Sequence, residues 1–511
     1  MKRDTYSKIK TINELARILN DLRRKGKKIA LCHGVFDLLH PGHVKHFEAA
    51  KRKGDILVVT ITQDEYVNKG PGRPIFNQYL RAENVAAIEC VDFVAINEWP
   101  TAVETIKKLK PHFYIKGNEY SKKEEDITGK IYEEEEAIRS VGGVIDFTDE
   151  IAFSSTALIN TFLAPYPEEA KGFFAKFKKR HPANDIIRVL REINKVKVLV
   201  IGDVIIDEYH YCVGMGKSQK DNIIATKFLS EEIFAGGVLG AVNHLAGFCN
   251  NITLVSCIGL KNDYKNFITG HIKPNVKTNF YYRKDAPTVI KRRFVDPNFL
   301  TKLFEICYLE DTNTLPVALE NQICGYLNKN LKKFDMVLVA DFGHGLITPK
   351  IVNVLCKKSK FLAANVQTNS ANIGFNLVTK LPRADYICID EPELRLACHD
   401  RFSNLEELVL DISKKLQCKK IIITRGHRGS LAYSKKEGFA NIPIFSKEVV
   451  DRIGAGDAYF SITSPCVFKN NPMEVVGFIG NAVGALKVLI VGNRSSVEPV
   501  PLFKYITTLL K

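Results

Sequence analysis

The sequence predicts two successive α/β domains, and three observations predict them. The chain has 511 residues, long for one compact core and ample for two. Apolar runs of strand length alternate with stretches of helical periodicity on both sides of residue 161, the pattern of parallel sheets covered by helices. Between them, 161–194 carries Pro165, Pro167 and Pro182 among charged helical pieces, the marks of a connection. The expected division is a domain over 1–160, linker helices over 161–194 and a larger domain over 195–511.

In the first domain Leu15, Ile18, Leu19 and Leu22 share one face of a helix between Ile12 and Leu22. A strand over Ile29–Cys32 follows and ends at a turn beginning with Gly34. Another strand, Ile56–Ile61, comes after the helical stretch His43–Lys53. In the second domain a strand opens at Val196 and closes on Gly202-Asp203. Buried-strand runs recur at Ile252–Val255, Met336–Ala340, Tyr386–Ile389 and Ile421–Thr424.

Composition narrows the function classes. A hydrophobic share of 45% and a charged share of 25% are those of a soluble globular chain. No apolar run reaches the roughly 20 residues that cross a bilayer, and the start, Met1-Lys2-Arg3-Asp4, lacks the apolar core of a signal peptide, so cytoplasm and no membrane are expected. The net charge of +16 suits phosphorylated substrates, and equally a solvated lysine surface; an aromatic-basic motif for nucleic acid is lacking, so none is expected as partner. Twelve cysteines without Cys-x-x-Cys pairs are expected to be reduced, and no zinc site is expected.

The first chemistry-bearing segment is Gly34-Val35-Phe36-Asp37-Leu38-Leu39-His40-Pro41-Gly42-His43, between a buried strand and a helix. In parallel sheets the carboxyl ends of strands are where ligands bind. The helix start offers N–H groups and the positive end of its dipole to phosphate, and Gly34 and Gly42 let backbone come close. His40 and His43, three positions apart, can face one anion.

These residues resemble the cytidylyltransferase-like nucleotidyltransferases, whose Gly-x-Phe-Asp-x-x-His-x-Gly-His signature is matched in full. Lys69-Gly70 with Arg73-Pro74, Arg81, Lys116-Gly117 and Ser154-Ser155-Thr156 extend the resemblance over about Lys27 to Ile159. It implies a Rossmann-like sheet and a reaction joining ATP or CTP to a sugar phosphate, with Mg²⁺ and release of pyrophosphate. His40, His43 and Lys69 would be catalytic. Gly34, Phe36, Asp37, Gly42, Arg81, Lys116, Ser154, Ser155 and Thr156 would bind nucleotide and phosphate. Lys69 could equally be a solvated loop lysine, and Asp37 could fix the turn rather than meet Mg²⁺. Glycerol-phosphate cytidylyltransferases carry Arg-Thr-Glu-Gly before their Ser-Thr-Thr. Here the run is Asp149-Glu150-Ile151-Ala152-Phe153, more like the adenylyltransferase domain of bacterial heptose-phosphate enzymes.

The second segment is Asp451-Arg452-Ile453-Gly454-Ala455-Gly456-Asp457. Small residues before a helix leave N–H groups free for a transferring phosphate, and a carboxylate there can take the proton of an attacking hydroxyl. With Gly202-Asp203-x-x-x-Asp207, Gly236-Gly237 and Thr424-Arg425-Gly426-x-x-Gly429, it resembles the ribokinase-like (PfkB) carbohydrate kinases over about Lys195 to Lys511. The resemblance implies Asp457 as catalytic base, an anion hole from Gly454, Ala455 and Gly456, and nucleotide contacts at Thr424 and Gly429. Asp207, Gly236 and Gly237 would bind substrate, and Glu393 would support Mg²⁺. Such proteins often dimerise, which makes a homodimer an expectation.

Several family positions differ. Gly-Gly-x-x-Asn reads Gly236-Gly237-Val238-Leu239-Gly240, without the sugar-contacting amide. Asn-x-x-Glu reads Asp390-Glu391-Pro392-Glu393, Asp-Tyr-x-Lys-Gly reads Asp341-Phe342-Gly343-His344-Gly345, and Asp-Pro-Lys reads Asn365-Val366-Gln367. The pair of domains resembles bacterial bifunctional heptose-phosphate kinase/adenylyltransferases in reversed order. The implied activity is a nucleotidyltransferase, with or without an active kinase beside it, making a heptose-like activated sugar for surface glycans.

Overall fold

A computed structural model of the chain describes residues 5–117, 130–148, 166–261, 264–310 and 314–511. It divides into two units, Met1–Pro165 with Phe503–Leu509 and Lys511, and Tyr166–Leu502 with Leu510. Among the described residues no helix is long and apolar enough to cross a membrane.

Unit 1 is built on five parallel strands, β1 (Ile29–Gly34), β2 (Ile56–Thr62), β3 (Phe93–Asn97), β4 (Phe113–Gly117) and β5 (Val144–Thr148). Their order is β3-β2-β1-β4-β5. Parallel strands are buried on both faces, so successive residues feed two separate cores. Ala30, Cys32, Val59 and Ile61 enter one core, while Leu31, Val58, Ala95 and Tyr114 enter the other. The helix Ile12–Arg24 begins with a reciprocal cap, Thr11 receiving the Glu14 amide while Glu14 receives the Thr11 amide. It buries Ile12, Leu15 and Leu19 completely, each contributing roughly 1.5–3 kcal/mol. The strand order reverses at β1, which pairs with both β2 and β4. That reversal opens a crevice at its carboxyl end.

Unit 2 contains a nine-stranded sheet in the order β10-β9-β6-β13-β14-β15-β16-β17-β18. The strands are β6 (Lys197–Gly202), β9 (Asn251–Gly259), β10 (Val276–Arg283), β13 (Met336–Asp341), β14 (Leu362–Val366), β15 (Tyr386–Asp390), β16 (Lys420–Thr424), β17 (Ser430–Ser434) and β18 (Gly438–Ile442). Only the β16-β17-β18 end is antiparallel. A separate four-stranded sheet, order β12-β11-β7-β8, was not foreseen from the sequence. It consists of β7 (Val204–Lys217), β8 (Ile224–Gly237), β11 (Val289–Asp296) and β12 (Thr301–Tyr308). The root of the β7–β8 hairpin is buried and its far end exposed, so its side chains do not read as one apolar run. The helices Glu168–Arg180 and Ala183–Glu192, expected as a connection, belong to unit 2. Phe174 and Phe177 pack there against Phe445 and Phe478, with centroids 4.9 and 4.5 Å apart.

Candidate active sites

In unit 1 the turn after β1 is strained and pinned. Phe36 (φ 49°) and Leu38 (φ 56°) are left-handed without being glycine, a conformation kept only where neighbours over-determine it. Asp37 does so: its carboxylate accepts the amides of Ile75 (2.9 Å) and Phe76 (3.2 Å), with Arg73 at 3.8 Å. Of its two expected roles, the described contacts are those of fixing the turn. Phe36 meets the His43 ring edge-on, and a side chain at Gly34 would press on the Phe36 ring at 3.0 Å.

The helix Pro41–Lys53 starts here, with His40 as its N-cap and Pro41 in its first turn. The expected row of free amides is absent. His40 Nδ1 accepts the Gly42 amide at 3.1 Å, and the His43 amide donates to the His40 carbonyl at 2.9 Å. Because Nδ1 accepts, a neutral His40 ring carries its proton on Nε2. His43 stacks on it, with centroids 3.9 Å apart, and its Nδ1 is buried without a hydrogen-bond partner among the described residues. Burial first, then the charges of His40, His46 and Lys69, pushes His43 down to about 3. Burial also lowers His40. Near neutrality the pair therefore acts as two uncharged hydrogen-bonding rings. Lys69 is half-buried in the loop between β2 and the helix Gln78–Ala86, where burial and then Arg73 lower its ammonium to about 8.

Two expected phosphate cations are instead struts. Arg81 is completely buried, donating to the carbonyls of Phe76 (2.9 Å), Val35 (2.5 Å) and Thr62 (2.8 Å) and to Asp64 (2.5 Å). Lys116 pairs with Glu134 at 2.8 Å, both nearly buried. Ser154, Ser155 and Thr156 lie outside the described residues. Sequence reasoning missed His33, held between Thr60 (3.0 Å) and Thr62 (3.3 Å), and His46, held to Thr148 (2.8 Å). Neither had a motif to mark it.

In unit 2 the helix Ala455–Phe468 is capped by Gly454, which is left-handed at φ 74°. No acceptor meets the amides of Gly456 and Asp457 among the described residues, and the space beside Gly456 is open. Asp457 is half-buried, and desolvation pushes its carboxyl up to about 6. Gln367 Nε2 donates to Asp457 Oδ1 at 2.5 Å and to Asn365 Oδ1 at 2.9 Å. Since Asn365 Nδ2 is spent on the Cys388 carbonyl, its oxygen must accept, which fixes the orientation of both amides. Asp457 Oδ2 has no donor on it among the described residues. Lys487 ties two loops together, donating to the Ile453 and Gly492 carbonyls at 2.7 Å each.

Other expected positions are more constrained. Asp207 Oδ1 pairs with Arg293, which holds this carboxylate in place. Gly236 and Gly237 are packing requirements: a side chain at Gly236 would run into the Asp207 carboxylate, and one at Gly237 would sit 2.6 Å from the Asp203 carbonyl. Glu393 accepts the amides of Asp390 (2.9 Å) and Thr368 (3.0 Å), completing a reciprocal cap with Asp390. Burial first, then Asp390, raises Glu393 to about 8. No group of three or more metal-ligating side chains occurs among the described residues. Thr424 ends β16, and Gly429 (φ 80°) turns the chain so tightly that a side chain would strike the Ile442 carbonyl.

Residues 31–161 match the family described as Cytidylyltransferase-like, and residues 195–499 the one described as pfkB family carbohydrate kinase. The Bifunctional protein HldE of Trichlorobacter lovleyi is 38% identical over 172 residues, 33% of each chain. That of Geobacter metallireducens is 37% identical over 169 residues, 32% of this chain and 33% of the other. The chain thus spans about a third of the length of the curated relatives it matches. An Arabidopsis thaliana ribokinase solved with ribose and ATP aligns with 62% of this chain and 99% of its own at 15% identity and TM-score 0.46. With a cytidylyltransferase-like domain preceding a match over well more than half its length, the chain belongs to the pfkB family of carbohydrate kinases.

Proposed function

We propose that unit 1 joins ATP or CTP to a sugar phosphate, and that unit 2 phosphorylates the sugar that unit 1 activates. The product is a nucleotide-activated, heptose-like sugar of the kind built into surface glycans, made in the cytoplasm where both substrates are supplied. The observation that carries the reading is the stacked His40–His43 pair at the strand reversal of unit 1. A phosphate oxygen of the sugar phosphate attacks the α-phosphorus of the nucleotide, a new P–O bond forms, and the bond to pyrophosphate breaks. Negative charge moves onto the leaving group. His40 Nε2–H and the His43 ring are preorganised donors for it, and Lys69 adds a cation.

In unit 2 an acceptor hydroxyl gives its proton to Asp457 Oδ2 as its oxygen bonds to the γ-phosphorus and ADP leaves. The free amides of Gly456 and Asp457 hold the transferring group. Mg²⁺ would accompany the nucleotide phosphates and screen their charge; the neighbouring carboxylates of Asp390 and Glu393 are oxygen donors of the hard type that suits it. Incubation with each triphosphate and a panel of pentose, hexose and heptose phosphates, read by mass spectrometry and pyrophosphate release, tests the reading. Turnover with no pair overturns it.

The Asp207–Arg293 pair favours a second reading, in which unit 2 binds or assembles without catalysing. There Asp457→Asn leaves ATP consumption unchanged.

A further inference from the structure

Position 240, where the family amide is missing, packs against an amide from elsewhere in unit 2. Gly240 stands in the first turn of the helix Val238–Ala246, three residues after Gly237. A Cβ on Gly240 would lie 3.0 Å from Asn493 Nδ2, and a Cβ on Gly454 would lie 2.7 Å from Asn493 Oδ1. The Asn493 carboxamide therefore fills a gap that exists only because both neighbours are glycine. A side chain at either position would displace it.

The loop that carries Asn493 is fixed in place. The Gly492 amide donates to Asp451 Oδ2 at 2.8 Å, and its carbonyl receives the Lys487 ammonium. The same two groups hold the approach to Gly454, since the Ile453 amide donates to Asp451 Oδ1 and the Ile453 carbonyl receives Lys487. A carboxamide so rigidly placed is normally satisfied, yet Asn493 Oδ1 is buried without a partner, and no hydrogen bond of Nδ2 occurs among the described residues. Two donors and one acceptor thus stand unused beside the cap of the helix whose first turn carries Asp457. An anion would match only the donors. A hydroxyl, which donates and accepts, matches both ends.

We infer that Asn493 binds hydroxyl groups of the acceptor in unit 2, replacing from the loop after the helix Met473–Lys487 the amide that Gly240 lacks. The inference rests on the reading of unit 2 as a sugar kinase. Asn493 orients the acceptor so that one hydroxyl faces Asp457 Oδ2, and it takes no proton itself.

The test uses the full chain, ATP and a panel of five- to seven-carbon sugars with and without a terminal phosphate, following ADP formation. Asn493→Ala raises the acceptor KM at least tenfold and leaves the KM for ATP within twofold. Asn493→Asp keeps the shape but loses the donors, and gives a similar rise if folding is preserved. Gly240→Asn alone crowds Asn493 and weakens acceptor binding. The exchange Gly240→Asn with Asn493→Gly recovers the acceptor KM to within about threefold of wild type. An acceptor KM unchanged in Asn493→Ala, as expected were the amide to hold only water, overturns the inference while leaving the kinase reading intact. An exchange variant as impaired as Asn493→Ala overturns it too. No phosphorylation of any panel member by the wild-type chain overturns the kinase reading, and this inference with it.

Discussion

Both candidate sites lie at the start of a helix, but the two starts are finished in different ways. In unit 1 the helix is closed by its own cap: His40 takes the Gly42 amide, and two stacked imidazoles stand at the helix start. In unit 2 the start is left open by Gly454 and Gly456, and the backbone itself can hold an anion next to a half-buried carboxylate. The first arrangement suits charge that has to be stabilised on a leaving group. The second suits a phosphoryl group that must be held while a proton is removed beside it.

The largest effect that would break this comparison is on the carboxylate. Asp457→Asn should lower phosphoryl transfer by about 10²–10⁴-fold, the usual worth of a general base. Nucleotidyl transfer from a pre-phosphorylated sugar should be unaffected, as separate assays of ADP and pyrophosphate would reveal. His40→Ala or His43→Ala should lower pyrophosphate release by roughly 10²–10³-fold, the loss typical of one preorganised donor, and should leave ADP formation alone. If either histidine change costs both activities equally, the two sites are not chemically distinct.

Arg81 sharpens the contrast between chemistry and scaffold. Arg81→Met leaves three carbonyls and Asp64 without their donor. Urea unfolding should register a clear loss, about 1–3 kcal/mol for each buried carbonyl left without its donor. A preserved stability with a raised KM for the triphosphate would return Arg81 to the role first expected of it.

The smallest effects are in pH. Asp457 must be ionised to accept a proton, and its carboxyl is raised to about 6, so kcat/KM for phosphoryl transfer should climb through pH 6 and then level. Unit 1 should behave in the opposite sense. Its His43 ring is already neutral there, lowered to about 3, while Lys69, lowered to about 8, loses its charge as pH rises. Its kcat/KM for the triphosphate should therefore decline above about pH 8.

What could be read from the sequence follows from what is local. The His40–His43 turn and the Gly454–Asp457 cradle are contiguous, and their chemistry is written in adjacent residue types. The strands Ile29–Gly34, Met336–Asp341 and Lys420–Thr424 announced themselves as apolar runs because both sheet faces are covered. Arg81 misled because a cation in a phosphate-site motif and a cation completing a buried network have the same sequence appearance. Lys116 misled for the same reason, its carboxylate partner being on the next helix. Gln367 and Asp457 meet across 90 positions, and nothing local joins them. Glu393 matched a family position, but that its oxygens also accept the Asp390 and Thr368 amides could not be read locally, since Thr368 lies 25 positions away.

Histidine is an unusual choice for a helix cap, a place where Ser, Thr, Asp and Asn are preferred. Asparagine at position 40 would suit the helix at least as well, but its shorter side chain could not present a ring to stack on His43. On the proposed function, the first turn of this helix is thus a point where folding and turnover favour different residues. Selection for heat resistance alone would drift toward the better cap and give a sturdier protein without the activity proposed for unit 1. Any programme to stabilise unit 1 should hold residue 40 fixed and look for its gains elsewhere.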